Sequence, residues 1–150
     1  FLTRSNSSHL DFDLKLAITR ANENPVFYVQ YAHARACSIF REMRERGLTQ
    51  APPDGVSLDL ISEPEAMQLI RKLAEFPEVV LSSAESREPH HVTHYLHELA
   101  SLFHTFYNQY RVLDATQPNL TQARLVLVDC VRTVLKNGLR LLGVSAPEAM

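Results

Sequence analysis

The sequence predicts an all-α fold, a helical bundle of about five to six helices. Three observations favour this class: the 150 residues include only four glycines, apolar residues recur with a period near 3.6 over long segments, and no useful stretch has the alternation typical of strands. A chain of this length buries about two thirds of the surface that its unfolded form exposes. We therefore expect one domain with a real core.

Two helices are predicted in the first third of the chain. A short one lies within residues 13–21, where apolar residues share one side. Asn24 and Pro25 begin the second, Asn as the N-cap and Pro at the first helical position, where its missing N–H costs nothing. This helix is expected to run to about Arg46, where Gly47 stops it.

A loop and two short helices are predicted in the middle of the chain. Residues 48–61 contain two prolines and a glycine and form the clearest loop. Residues 62–65, Ser-Glu-Pro-Glu, match the capping-box pattern and open a third helix that runs to about Glu75. Pro77 interrupts that helix, and residues 78–86 form a short fourth one.

Two long helices complete the predicted bundle. Pro89 opens the fifth helix, and the Asn137-Gly138 pair predicts the C-terminal end of the sixth. The expected bounds are about 89–112 for the fifth helix and, for the sixth, a start at about Asn119 or Thr121 and an end at Lys136. A last apolar segment follows at 139–144.

The composition narrows the classes of partner. An apolar fraction of 45% and a charged fraction of 21% are those of a globular protein, and no apolar run approaches the roughly 18 residues that cross a bilayer. We therefore expect no membrane partner. The net charge of −2 argues against a uniformly basic nucleic-acid binder, and we expect no DNA partner. Of the 15 basic residues, however, 12 are arginine, the better side chain for stacked or bidentate contacts.

Cys37 and Cys130 lie in apolar patterns, which favours reduced core thiols and a cytoplasmic location.

The second helix carries two different faces. Its core face is predicted by small and apolar residues at spacings of 4, 3 and 4, namely Ala32, Ala36, Ile39 and Met43. Tyr28, Tyr31 and Arg35 follow another line, so the helix presents two rings and a guanidinium together. Such rings stack on unpaired bases, each contributing about 1–3 kcal/mol. Spacing alone leaves open the alternative that both tyrosines border the core with wet hydroxyls.

The fifth helix repeats this arrangement. Its core stripe is Leu96, Leu99, Phe103, Phe106 and Tyr110. Another line carries His90, His94, His97 and His104, with Tyr107 and Arg111 close to it. His90 and His94 have the spacing of a zinc-binding pair, but no Cys or carboxylate pair at ligand spacing accompanies them, so we expect no metal. A face with His104, Tyr107 and Arg111 suits stacking on nucleic acid better.

The remaining sequence indicates a binding domain without catalytic residues. It contains no phosphate-binding loop, no nucleophile elbow, no H-E-x-x-H motif and no zinc-type cysteine spacing. In the sixth helix Arg124 is flanked by inward-pointing positions, so it requires a carboxylate or main-chain carbonyl partner. The sequence does not identify that partner.

Four collinear stretches resemble the C-terminal part of class I arginyl-tRNA synthetases. They are residues 10–17, LDFDLKLA; 24–35, NPVFYVQYAHAR; 95–113, YLHELASLFHTFYNQYRVL; and 123–150, ARLVLVDCVRTVLKNGLRLLGVSAPEAM. The string N-P-x-x-Y-x-Q-Y-A-H-A-R looks specific to the arginyl enzymes. The resemblance implies a DALR-type anticodon-binding domain whose natural C-terminus is Met150, whereas Phe1, which lacks a preceding Met, is expected to lie inside a longer chain.

The resemblance also implies which residues contact RNA. In that family the corresponding side chains surround the anticodon loop, and here they are Tyr28, Tyr31, Tyr107 and Met150. Facing and proximity extend the expected set to Gln30, Arg35 and Asn108, and the polar face of the fifth helix adds Arg111.

The function implied by the resemblance is tRNA recognition on behalf of a larger enzyme. That parent enzyme joins arginine to its tRNA using ATP, and the HIGH and KMSK signatures of its catalytic domain are missing here. We therefore expect no catalysis and no cofactor in this fragment, with ATP and Mg bound by the parent's catalytic domain. The expected partners are the anticodon loop of arginine tRNA and that catalytic domain.

We divide the chain into a lead-in segment with a short helix, 1–22, and an anticodon-binding helical bundle, 23–150. The alternative is an all-α protein-interaction module without RNA binding.

Overall fold

The computed structural model describes residues 13–19, 21 and 23–150. Residues 1–12, most of the predicted lead-in segment, lie outside this description, and the division at residue 22 stays a prediction. The described residues form six α-helices and two short 3-10 helices and no strand, which confirms the all-α bundle. None of these helices is long and apolar enough to span a membrane. The α-helices are α1 (Leu14–Ile18), α2 (Pro25–Glu45), α3 (Pro64–Ala74), α4 (Phe76–Ser86), α5 (His90–Gln109) and α6 (Pro118–Leu141).

Helix α5 is the centre of the bundle. It packs against α2, α3, α4 and α6, while α2 also packs against α6. The predicted core stripes of α2 and α5 are confirmed, except that Tyr110 is only half-buried at the edge. Burying each large apolar side chain contributes about 1.5–3 kcal/mol. The largest fully buried side chains include Phe103, Phe106, Leu96, Leu99, Leu125 and Leu135.

The ends of α2 follow the prediction. The Asn24 side-chain oxygen accepts hydrogen bonds from the main-chain N–H groups of Val26, at 3.0 Å, and Phe27, at 3.5 Å. Pro25 occupies the first turn. At the other end Gly47 has φ +69°, the left-handed conformation that glycine adopts readily after a helix.

The capping box predicted at residues 62–65 is wrong. Glu63 is the N-cap residue of α3, and no side chain caps that helix. Both carboxylates of the pattern have tertiary partners instead, since Glu63 pairs with Arg124 and Glu65 accepts a hydrogen bond from the Tyr110 hydroxyl at 2.6 Å. Long-range partners have replaced the local cap.

Arg124 has the two kinds of partner that its position requires. Its guanidinium forms an ion pair with Glu63 and donates a hydrogen bond to the Arg111 carbonyl at 2.8 Å. Burial by itself raises the pKa of the Glu63 carboxyl, but hydrogen bonds from Arg124 and the main chain, with the Arg124 charge, lower it overall. The pair ties the start of α3 to α6.

The predicted end of α6 at Lys136 is also wrong. The helix continues through Asn137 and Gly138 to Leu141. A Cβ atom at Gly138 would lie 2.4 Å from Cδ2 of Leu96, so this glycine permits close packing of α6 on α5. The stop is Gly143, with φ +69°.

Three smaller differences have equally local causes. Helix α5 ends at Gln109 because Tyr110 is extended, and Val112 turns into the core. Helix α4 begins at Phe76, with Pro77 in its first turn. Of the two free cysteines Cys37 is buried as predicted, but Cys130 is exposed, because it lies on the outer side of α6.

Glu63→Gln tests the buried ion pair. Leaving a buried charge unpaired costs about 3–5 kcal/mol, so we expect the free energy of unfolding at pH 7 to fall by about 3 kcal/mol in chemical denaturation. Because the folded-state pKa of Glu63 is lowered, the pair stabilises above the unfolded-state pKa, and this is lost as pH falls through the folded value. The difference between wild type and variant should therefore shrink in acid.

Glu75→Gln is the matched control. Its carboxylate pairs with Lys72 at 2.9 Å but is 53% exposed, and such surface pairs contribute about 1 kcal/mol or less. Equal losses in the two variants would contradict the assigned role of Glu63.

Candidate nucleic-acid interface

Helices α2 and α5 bring two tyrosines and one arginine together. The guanidinium carbon of Arg35 lies 4.7 Å from the ring centroid of Tyr31 and 4.5 Å from that of Tyr107. Both distances are within the range of about 6 Å for cation–π contacts. The guanidinium therefore bridges a ring of its own helix and a ring of the neighbouring helix.

Two hydrogen bonds fix the Arg35 guanidinium. Nη2 donates to the Tyr31 hydroxyl at 2.8 Å, and Nη1 donates to Nδ1 of His104 at 2.9 Å. Because arginine offers only donors, Nδ1 must accept, which assigns His104 the neutral tautomer with its hydrogen on Nε2.

Burial of His104 is consistent with this neutral form. Desolvation, followed by the positive charge of Arg35, lowers the pKa of His104 to about 4. The Tyr28 main chain lies close enough to the ring to oppose this lowering of the pKa. It does not form a hydrogen bond of good geometry with Nε2. His104 is therefore uncharged at neutral pH.

An open depression of about 200 Å³ lies over this group. It offers aromatic rings, two guanidinium groups and a thioether, in a chain whose net charge is −2. A planar, anionic or partly apolar ligand suits such a lining. The lining residues are Tyr31, Ala34, Arg35, Ser38, Arg41, Tyr107, Ala149 and Met150.

The C-terminal tail carries Met150 to the depression along α2. Gln30 donates from Nε2 to the carbonyl of Ser145 at 2.8 Å and to its hydroxyl at 3.2 Å. One turn later Nδ1 of His33 donates to the carbonyl of Pro147 at 2.8 Å. Desolvation lowers the pKa of His33, although this hydrogen bond opposes the shift. Gln30, a predicted contact residue, thus holds the tail and does not line the depression.

Three other predicted site residues also lie outside this depression. Tyr28 is half-buried between His97 and His104, with its ring centroid 4.9 Å from each of theirs. Arg111 is exposed and lines an adjacent depression of about 210 Å³, which shares Tyr107 with the first. Asn108 is exposed near the end of α5 and lines neither depression. Tyr31, Arg35, Tyr107 and Met150 are the predicted residues that the structure brings together.

Three residues of this region were not among the predicted contacts. His104 was placed with Tyr107 and Arg111 on the face of the fifth helix that suits nucleic acid, but it was not carried into the expected set of RNA contacts. Arg41 follows Tyr31, Ala34 and Ser38 at spacings of 3, 4 and 3, so helical periodicity places it on that side. His33 has no such signal, because its partner belongs to the distant tail.

The histidines at the start of α5 form a separate group. Among the described residues, potential metal-binding atoms of Glu88, His90 and His91 lie within 4.8 Å of one another. His94, which has the spacing of a zinc-binding pair with His90, is not part of this group, although its ring lies 5.9 Å from that of His90. Glu88 and His91 already contact each other at 3.0 Å. The expectation that the chain holds no metal stays a prediction.

The chain is similar to proteins that are named as arginine–tRNA ligases or arginyl-tRNA synthetases. An arginine–tRNA ligase of Symbiobacterium thermophilum is 54% identical over the whole chain, which covers 27% of that relative, and one of Ruminiclostridium cellulolyticum is 52% identical, with 26% covered. The chain thus spans about a quarter of the length of these curated relatives. The solved arginyl-tRNA synthetase of Thermus thermophilus is 37% identical, with a TM-score of 0.74, over 94% of this chain and 24% of that one.

A family model described as the DALR anticodon binding domain matches residues 29–150. This range includes α2 from its second turn, the whole of α3 to α6, and the C-terminal tail. All four residues that meet at the depression lie within it. The chain therefore belongs to the DALR anticodon-binding domain family.

Proposed function

We propose that this chain recognises the anticodon loop of arginine tRNA for a parent arginyl-tRNA synthetase. The observation that supports this most directly is the grouping of Tyr31, Arg35, Tyr107 and Met150 around one open depression. Family membership and the activity named for its relatives support the same reading. The parent enzyme attaches arginine to this tRNA using ATP.

The lining of the depression suits an unpaired base. Sequence-specific RNA recognition mostly uses loop bases that are splayed out and stacked on aromatic rings or guanidinium planes. Tyr31 and Tyr107 supply the rings, and Arg35 supplies the guanidinium between them. Arg41 is exposed at the same depression, where it can contact a phosphate as the loop passes.

The other parts of the proposal concern the parent protein. Its catalytic domain binds ATP with Mg and activates arginine, and it is the partner of this domain within one chain in the cytoplasm. The length of the relatives, about four times that of this chain, leaves room for such a domain. We assign no catalytic role to any residue of the 150.

Tyr31→Ala and Tyr107→Ala test the stacking role. In the full-length protein each substitution should weaken the binding of an arginine tRNA transcript about 5- to 150-fold, the range for losing one base–aromatic contact. Binding of ATP and of arginine should be unchanged, because the proposal assigns both to the catalytic domain of the parent and neither to this depression. Filter binding measures the first quantity and equilibrium dialysis the others.

Thr105→Ala is the control for these variants. Thr105 is exposed on α5, and its hydroxyl contacts only the Ser101 carbonyl in the described structure, so its loss should leave tRNA affinity at the wild-type value. Equal tRNA affinity in wild type and both tyrosine variants would contradict RNA recognition here. A protein that retains no tRNA at low salt but captures a defined protein partner would favour the interaction-module alternative.

Arg41→Gln tests the phosphate contact separately. Removing one phosphate contact weakens binding for all RNA sequences and lowers the slope of log K against log salt by about 0.7 to 1. Arg71→Gln, which removes an exposed arginine on α3, should leave the slope unchanged. The slopes come from titrations of the full-length protein at several salt concentrations, and identical slopes for wild type and Arg41→Gln would exclude the contact.

A further inference from the structure

We infer that His104 is a positioning residue for RNA recognition: its neutral imidazole holds the Arg35 guanidinium between Tyr31 and Tyr107. This inference rests on the proposed function, because it concerns the same depression. His104 itself does not line the depression, so it acts through Arg35.

Two hydrogen bonds restrict the rotamers of the Arg35 side chain before any ligand binds. A free arginine side chain samples many rotamers, and ordering it on binding would cost a ligand affinity. Here two of its donors are already fixed, by the Tyr31 hydroxyl at 2.8 Å and by His104 Nδ1 at 2.9 Å. Ordering the guanidinium before the ligand arrives raises affinity by reducing that cost.

The imidazole of His104 is itself held in place by packing against rings of α2. His104 is 9% exposed, and its ring centroid lies 4.9 Å from that of Tyr28 and 5.5 Å from that of Tyr31. Packing against two rings of α2 fixes the direction in which Nδ1 points. The acceptor is therefore aimed at Arg35 by the contact between α2 and α5.

At this position an imidazole adds a hydrogen-bond acceptor, Nδ1. In the described structure Nε2 of His104 is buried and makes no hydrogen bond of good geometry, although the Tyr28 main chain lies close enough to raise the pKa of the ring; a buried donor with so weak a partner is unfavourable. A phenylalanine would fill similar space without that cost. The group that distinguishes histidine from phenylalanine, and that finds a partner, is the Nδ1 acceptor.

The Arg35 guanidinium sets the charge balance around His104. The groups facing it from α2 are Tyr28, Tyr31 and the cationic Arg35, while Phe103 adjoins it on α5. Of the described charged groups, Arg35 is the one that acts on its pKa, and no carboxylate offsets it. Protonation would remove the acceptor and place two cations in contact, which would expel Arg35 from its position.

A double-mutant cycle in the full-length protein tests this inference. His104→Phe keeps a ring between Tyr28 and Tyr31 but removes the acceptor. We expect it to weaken binding of an arginine tRNA transcript about tenfold, as for the loss of one hydrogen bond to a charged group. In an Arg35→Ala background the same substitution should change affinity less than about twofold, since the residue it positions is gone.

A spectroscopic measurement separates positioning from a merely structural role. With 15N-labelled histidine, His104 should show the Nε2–H tautomer at pH 7, assigned by its loss in His104→Phe. In Arg35→Ala its pKa should rise from about 4 towards the ordinary value of about 6.5. The His33 signal is the internal control and should not move.

The outcomes separate this inference from the proposed function. If His104→Phe has no effect, or the same effect in both backgrounds, or if His104 is charged or carries Nδ1–H at pH 7, the inference is overturned. If wild type does not bind the transcript, or if Tyr31→Ala and Arg35→Ala bind as wild type does, the proposed function fails. Should His104→Phe not fold, His104→Asn, whose amide oxygen can stand near Nδ1, should retain more affinity than His104→Ala, and equal losses would overturn the inference.

Discussion

The candidate interface depends on one guanidinium held between two helices. A half-buried charge requires hydrogen-bond partners, and Arg35 obtains them from a hydroxyl on α2 and an imidazole on α5. The same two helices supply the rings on either side of it. Any change in the separation of α2 and α5 would alter the two contacts that Arg35 makes across the helices, with His104 and Tyr107, so the shape of the depression depends on helix packing.

Small residues set that packing. Ala32 and Ala36 of α2 are fully buried, and α2 packs on both α5 and α6. Gly138 does the same for α6 on α5, where a side chain would collide with Leu96. Because the distance between packed helices depends on the side chains at their contact, these residues control the geometry of an interface that they do not touch.

Local periodicity predicted the two faces of α2, because Tyr31 and Arg35 are one turn apart in any helix. The resemblance added Tyr107 and Met150, which spacing alone could not connect to α2. The failures are tertiary: Glu65, the glutamate of the predicted capping box, accepts a hydrogen bond from the Tyr110 hydroxyl instead, and an Asn-Gly pair is compatible with either a helix end or a close helix contact. Sequence spacing also could not find the partner of Gln30, because that partner is Ser145, 115 residues away; the RNA contact expected for Gln30 stays a prediction.

The polar aromatic residues of this region therefore have separate tasks that their sequence pattern does not distinguish. Tyr28 packs between imidazoles, whereas Tyr31 orients a guanidinium. His33 donates from Nδ1 to a carbonyl, and His104 accepts at Nδ1 from an arginine. The two histidines thus require opposite neutral tautomers, each assigned by its partner. Burial lowers both pKa values, which keeps both rings neutral at physiological pH and lets one residue type anchor the tail and position the cation.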